Sequence, residues 1–300
     1  MNKVQLLWQK AAPEFLLVFI RLILAPKSYK QRRKAVRTYF KNIDRNTLPP
    51  EIQEGLRYLE WHKFTPYPYK WTKKYDSLLP EVFRDETNHC FYILFGNKKM
   101  YFPKSFSLES VIWAVRLIMK EQDHLSSHLY LTDDFQPEPD SIVIDAGVAE
   151  GNFALSVIDK AKKIYLVECD KGWMEALKLT FAPWNEKVVF VEKYMSDELS
   201  DITTTIDGLL DEEHGENYFI KLDIEGFEQK ALSGMKRLVA SGNHIKMDVC
   251  TYHHPDDLNE IEATLKSFGF TCQVSDGYVL YFQADEEPSF RKSVIRAEKR

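Results

Sequence analysis

The stretch Asp145-Ala-Gly-Val-Ala-Glu-Gly151 sets an aspartate and two glycines four residues apart behind the apolar run Ile142–Ile144. Glycine tolerates the sharp turn and the close backbone approach that a ligand needs where a strand hands over to a helix. Glu168 follows Asp145 by 23 residues, the spacing at which a carboxylate grips both ribose hydroxyls of an adenosine cofactor. Both a nicotinamide dinucleotide and S-adenosylmethionine satisfy that pattern. Ala149 separates them, because the dinucleotide fingerprint requires a glycine two positions after Gly147 so that a pyrophosphate can approach. A sulfonium cofactor has no phosphate to seat, and Asp145 suits a ligand that bears an ammonium group. The expected cofactor is therefore S-adenosylmethionine, held by Asp145, Gly147, Gly151 and Glu168 with its neighbour Cys169.

Two further clusters have the composition of reaction chemistry. In Lys221-x-Asp223-x-Glu225-Gly226-x-Glu228 the charged residues alternate along a strand and its exit. Lys221 and Asp223 are read as catalytic, with Asp223 orienting the acceptor, binding a cation or holding the methionine end of the cofactor. Helix capping by Asp223 is the alternative. Two or three carboxylates fall short of the oxygen shell of a divalent cation, so no metal is assigned. Cys250-Thr-Tyr-His253-His254 supplies histidines that titrate in the range of a general base. His253 is the first choice for that role, and His254 is expected to pair with Asp256 or Asp257. Ser196 and Asp197 follow the third strand, where adenine would lie. Glu121 and Tyr130 are placed facing the cofactor, and Trp173 reads as a core aromatic or an adenine neighbour.

The elements that must carry these residues are legible from periodicity. Strands are expected at 142–145, 164–168, 188–191, 218–223, 244–250, 270–274 and 278–283, and helices at 151–161, 172–181, 225–240 and 256–268. Alternating strands and helices imply a parallel sheet covered on both faces. The last two strands, joined at Ser275–Gly277, predict a terminal antiparallel hairpin. This is the α/β layout of class I methyltransferases, a Rossmann-like doubly wound sheet ending in an antiparallel hairpin. Upstream, residues 1–85 read as a helical N-terminal segment, and 86–140 as a small β-hairpin around Gly96-Asn97 and a helix leading into the catalytic domain at 141–300.

The stretch from about Glu121 to Phe282 resembles the FkbM family of S-adenosylmethionine-dependent methyltransferases. The resemblance is carried by VIDAGVAEGNF, LVECD, SDITTTIDGLL, FIKLDIEGFEQKAL and DVCTYHHPDD. The Lys221–Glu228 block is the most specific of these, and Glu168-Cys169 stands where many relatives have Glu-Pro. The resemblance implies O-methylation of a hydroxyl on a small-molecule or glycan acceptor, such as a saccharide or glycolipid precursor in polysaccharide biosynthesis. A nicotinamide-dependent oxidoreductase and a non-catalytic membrane-associated binding protein on the same scaffold are the competing classes.

Charge is unevenly distributed. Residues 1–41 hold ten basic residues and one acidic, a net of +9, which leaves 30 basic against 44 acidic residues in the remainder. An acidic body without basic faces argues against a nucleic-acid partner. The arm suits peripheral contact with an anionic membrane, since Phe15–Ala25 is followed by six basic residues from Lys27 to Arg37. Those eleven residues, interrupted by Arg21, are too few for a spanning helix, which needs about 20. Packing on the body or on a second subunit is the other reading of this helix, and the oligomeric state has no signature. Four scattered cysteines read as reduced thiols of a cytoplasmic protein, peripheral at the inner face of the membrane if the arm binds there.

Overall fold

The computed structural model describes residues 29–210, 216–281 and 287–300; Phe15–Ala25 and Lys27 of the arm lie outside them. The chain divides into two compact units, one of residues 73–277 with 292–300 and one of residues up to 72 with 278–291. The sequence expectation had placed all of 141–300 in one domain.

The larger unit begins with a three-stranded antiparallel sheet of β1 (Phe83–Asp85), β2 (Cys90–Phe95) and β3 (Lys98–Tyr101). Gly96, at φ +62°, makes the tight turn between β2 and β3. The helix Leu108–Glu121 follows, capped by Ser107, whose hydroxyl accepts from the Ser110 amide. Its buried residues Val111, Ala114, Val115 and Ile118 repeat at helical spacing and enter the core.

The main sheet draws on β4 (Ile142–Ala146), β5 (Lys163–Val167), β6 (Val188–Val191), β9 (Asn217–Leu222), β10 (His244–Cys250) and β11 (Thr271–Val274). A small parallel pair, β7 (Tyr194–Met195) and β8 (Thr203–Thr204), lies between β6 and β9 in the chain. After β11 the chain supplies β12 (Val279–Tyr281) and β13 (Ser289–Arg291) to the smaller unit, then returns as β14 (Val294–Lys299). The spatial order is β11-β14-β10-β9-β4-β5-β6, with β14 antiparallel to both of its neighbours. β4 is buried along its whole length, and its alternate side chains enter two cores. Val143 joins Phe153, Leu166 and Phe219 on one face, whereas Ile142 and Ile144 join Ile220, Met247 and Leu265 on the other.

The sheet does end in an antiparallel pair, but its second member is not 278–283. β11 pairs with β14, with Val274 opposite Ile295 and Thr271 opposite Glu298, while β12 pairs with β13. The charged side chains of Arg296 and Glu298 had hidden β14 in the sequence. The expected helix over 225–240 is also divided, into Glu228–Ser233 and Lys236–Ala240. Glu225 and Gly226, at φ +57° and +95°, delay its start. Asp207, which had no readable role, accepts from the amides of Arg237 and Leu238 and so caps the second piece.

In the smaller unit the helices Tyr29–Tyr39 and Pro50–Trp61 share a core of Val36, Leu56, Leu59, Phe64 and Leu280. No described helix is long and apolar enough to cross a membrane.

Candidate active site

The chain runs outward from β4 to β5 and β6, then returns to the other side of β4 as β9 and β10. This reversal opens a crevice at the carboxyl ends of β4 and β9, where open α/β sheets bind ligands. The glycine loop sits there. Gly147 has φ +73°, and a Cβ on it would lie 1.8 Å from the Asp223 carbonyl oxygen, so no other residue fits. A Cβ on Gly151 would meet Leu177 and Phe181 at 2.9 and 3.0 Å, so this glycine lets the next helix pack closely.

Lys221 fixes the loop from beneath. Its Nζ donates to the Gly147 carbonyl at 2.6 Å and pairs with Asp145 Oδ1 at 3.1 Å, directly across the β4–β9 register. Asp145 is 0% exposed and Lys221 3%. Asp145 is thus enclosed against a lysine, and Lys221 lies under the loop. Burial pushes the Asp145 carboxyl up despite Lys221. Burial alone would lower the ammonium pKa, but Asp145 and Asp223 outweigh it and hold Lys221 charged.

Glu168 organises the other wall. Its Oε2 accepts from the Ala149 amide at 3.1 Å and its Oε1 from the Asp170 amide at 2.8 Å. Ala149, at φ +45°, thus has its N–H engaged by a carboxylate, which leaves no donor for a pyrophosphate at the position where a dinucleotide site needs one. Cys169 donates its thiol to the same carboxylate at 3.7 Å, and burial pushes that thiol up to about 12. Ser196 donates to Asp197 Oδ1 at 3.0 Å at the exposed end of β7. Trp173 is a core residue, packed on Phe102 and Phe106.

Asp223 is the hub of the remaining cluster. Oδ2 accepts from Tyr130 Oη at 2.7 Å and faces His128 Nε2 at 3.6 Å. Oδ1 accepts from Tyr252 Oη at 3.2 Å and faces His253 Nε2 at 3.4 Å. Burial would raise this carboxyl, but the His128 hydrogen bond and the surrounding positive charges hold it well below the usual range. Asp223 caps no helix. His253 lies behind it, enclosed, with Nδ1 3.1 Å from Glu228 Oε1 and Nε2 3.8 Å from Glu225 Oε2. Burial would lower the imidazole pKa, yet Glu228, Glu225 and Asp223 together raise it to about 10. His253 therefore carries a proton at neutral pH in this site, which does not suit the resting form of a general base. His254 meets Asp257 through its backbone, its amide donating to the Asp257 carboxylate. His128 and Tyr252 were not singled out in the sequence. Two histidines in a short polar run before β4 were the only signal for the first.

The sequence matches the methyltransferase FkbM domain over residues 134–272. That segment is an FkbM methyltransferase domain. That domain is consistent with S-adenosylmethionine as methyl donor, and the chain spans 56% of the length of the FkbM structure described next. Among solved structures, an FkbM methyltransferase from Methylobacillus flagellatus KT is 15% identical, covering 65% of this chain and 56% of that one, with a TM-score of 0.46. A precorrin-6y C5,15-methyltransferase from Geobacter metallireducens is 13% identical over 69% of this chain and 95% of that one, at a TM-score of 0.39. A methyltransferase from Streptococcus mutans in complex with SAH is 15% identical over 54% and 90%, at 0.34. A search of curated proteins returns no match.

The cleft carries a surplus of acid that suits a cationic cofactor. Burial, reinforced by Glu150 and Asp223, pushes Glu121 well up. Burial, with smaller contributions from Glu168 and Asp223, brings Glu150 to about 7. Glu225 is raised by burial and by the carboxylates around it. A sulfonium placed among these groups supplies the charge that the protein lacks. Glu150 makes this testable by pH. Its folded pKa lies above the ordinary value, so raising the pH through about 7 ionises it in the empty cleft and strengthens the hold on a cation. Calorimetry should show S-adenosylmethionine affinity rising from about pH 6 to about pH 8, a slope that Glu150→Gln flattens. An unchanged slope in the variant would separate Glu150 from cofactor binding.

Proposed function

We propose that this methyltransferase methylates a hydroxyl of an uncharged small-molecule or glycan acceptor, such as a saccharide or glycolipid precursor. The observation that carries the reading is a file of carboxylates and one imidazolium, Glu228–His253–Glu225 with Asp223 alongside, running from the core to the cleft. A hydroxyl must lose its proton as it is methylated, and an already nucleophilic amine needs no such file. Glu225 is the member that opens toward solvent, with its side chain 31% exposed. Its left-handed backbone, at φ +57°, is a strained conformation of the kind kept at functional sites. In this reading Glu225 takes the acceptor proton, and His253 steadies the carboxylates around it. Asp223 has four donors turned toward it and serves to orient.

Glu168 and the glycine loop would hold the cofactor, which supplies an electrophilic methyl group when bound. The chain's own contribution is alignment, which accounts for much of the rate in a displacement of this kind. The crowded carboxylates also select: an acceptor with phosphate or carboxylate near its reacting hydroxyl would be repelled.

Screening the full chain with S-adenosylmethionine against neutral polyols and oligosaccharides should reveal release of the demethylated cofactor and a methyl ether in the product. Glu225→Gln should slow that reaction by about 10²–10⁴-fold with cofactor affinity retained. Transfer to a nitrogen or carbon acceptor, or an unaffected Glu225→Gln enzyme, would contradict the reading.

The arm fits a lipid-linked acceptor met at an anionic, cytoplasm-facing membrane surface. Lys34 and Arg37 are exposed on the helix Tyr29–Tyr39. Each basic side chain near such a surface contributes about 1 kcal/mol, screened over about a Debye length. The full chain should co-sediment with phosphatidylserine vesicles at low salt and be released at high salt, whereas a chain carrying Lys34→Glu and Arg37→Glu, both exposed, should stay largely in the supernatant. Equal behaviour of the two chains would remove the membrane from the account.

A further inference from the structure

We propose that His128, Asp223 and Cys250 form a site for a thiophilic divalent cation, zinc or its cobalt substitute, in the floor of the cleft. His128 Nε2 lies 3.6 Å from Asp223 Oδ2 and 3.9 Å from Cys250 Sγ, and one donor atom from each residue falls within 4.8 Å of the other two. Donor atoms about 2.0–2.3 Å from a tetrahedral zinc ion stand roughly 3.3–3.8 Å from one another, so the set closes on a cation with small adjustments. Nitrogen, sulfur and oxygen together form a borderline-soft donor set that favours zinc over magnesium or calcium.

Burial supports the assignment. Cys250 and His128 are enclosed, at 0% and 2% exposure, and the Asp223 side chain, at 17%, opens toward the cleft. Three protein ligands with one open position is the arrangement of a catalytic zinc site. His128 Nδ1 is enclosed with no hydrogen-bond partner among the described residues. A buried imidazole with one orphaned nitrogen costs stability on its own account. Its other nitrogen is aimed into this cluster, where it meets Tyr252 Oη at 3.3 Å as well as Asp223 and Cys250.

A rival set, Asp223 with Glu228 and His253, shares one ligand with this one. Glu228 Oε1, however, already accepts from the Ile224 amide at 2.9 Å and pairs with His253 Nδ1. Two of that set's three members are thus engaged with each other, which leaves the cysteine side for the cation. Counting carboxylates in the sequence missed the site because two of its three donors are a histidine upstream of β4 and a cysteine at the end of β10.

Binding would convert the Cys250 thiol to a metal-bound thiolate and release its proton to solvent, with no change of oxidation state. A hydroxyl at the open position would be acidified by the cation. That use rests on the hydroxyl acceptor proposed above; the binding does not.

The test is anaerobic titration of the chelator-treated full chain with cobalt(II) chloride, followed by optical spectroscopy. The expected result is about one cobalt per chain, with intense visible bands of a four-coordinate ion and a near-ultraviolet thiolate-to-cobalt band. Cys250→Ser should lose the thiolate band, and His128→Gln should weaken binding by about 10–100-fold. Retained binding of demethylated cofactor would show that both variants are folded. Failure to bind cobalt, or an unchanged spectrum in Cys250→Ser, would overturn the site. If either variant does not fold, X-ray absorption of the zinc-loaded native chain decides: sulfur among the ligands supports the site and its absence overturns it. Methyl transfer that survives complete metal removal would exclude the cation from the reaction while leaving the hydroxyl reading intact.

Discussion

The ammonium group of Lys221 is almost wholly enclosed, and the glycine loop rests on it. It belongs to a row of ionisable side chains in register across the middle of the sheet: Asp145 on β4, Lys221 on β9, Asp248 on β10 and Arg296 on β14. Acids and bases alternate, all four residues are buried, and burial pushes the Asp248 carboxyl well up despite Arg296 and Lys221. Removing one member of a buried charge pair typically costs about 3–5 kcal/mol, because its partner is left uncompensated. Such a row does not make the sheet more stable than a well-packed apolar one would be. It ties the sheet to the two sides of the crevice. At one end Lys221 holds the Gly147 carbonyl. At the other, Arg296 donates to the carbonyls of Leu129 and Tyr130, and Tyr130 in turn donates to Asp223.

Two consequences for chemistry follow from this anchoring. The loop and the Asp223 cluster are positioned from beneath by the same strand, so their separation is set by the covalent geometry of β9 and not by loop mobility. The row also consumes Lys221 as a counter-charge, and the carboxylates that face the cleft then outnumber the cations available to them. Glu121, Glu150 and Glu225 are raised for that reason as well as by burial. A cationic cofactor relieves the imbalance, which connects the sheet's internal charge pattern to what the cleft can hold.

Much of the fold was legible because strand and helix periods are local signals. Strands β4, β5, β6, β9 and β10 and the hairpin at Gly96 follow from such signals, whereas the two-residue strands β7 and β8 are too short to give one. β14 was not legible, since it alternates weakly and its partner β11 lies across an excursion of the chain into the other unit. At the site, the glycines were readable because turn geometry constrains residue type, and Glu168 accepts there from the Ala149 and Asp170 amides. For Asp145, Lys221 and His253, sequence spacing shows which charged residues converge but not which of them neutralise each other. Asp145 and Lys221 cancel in the interior, and His253 is enclosed by three carboxylates. His128 came from a segment with no periodic signal, and only the tertiary fold brings it beside Cys250 and Asp223.

The claim that most depends on this arrangement is that Lys221 builds the cofactor cleft and takes no part in methyl transfer. Calorimetry of Lys221→Met with demethylated cofactor, on protein shown to be folded by circular dichroism, tests it directly. Loss of the Gly147 clasp predicts cofactor binding weakened by at least about 100-fold, roughly 3 kcal/mol. Native affinity in a variant that has lost turnover would contradict the account and return Lys221 to the reaction itself.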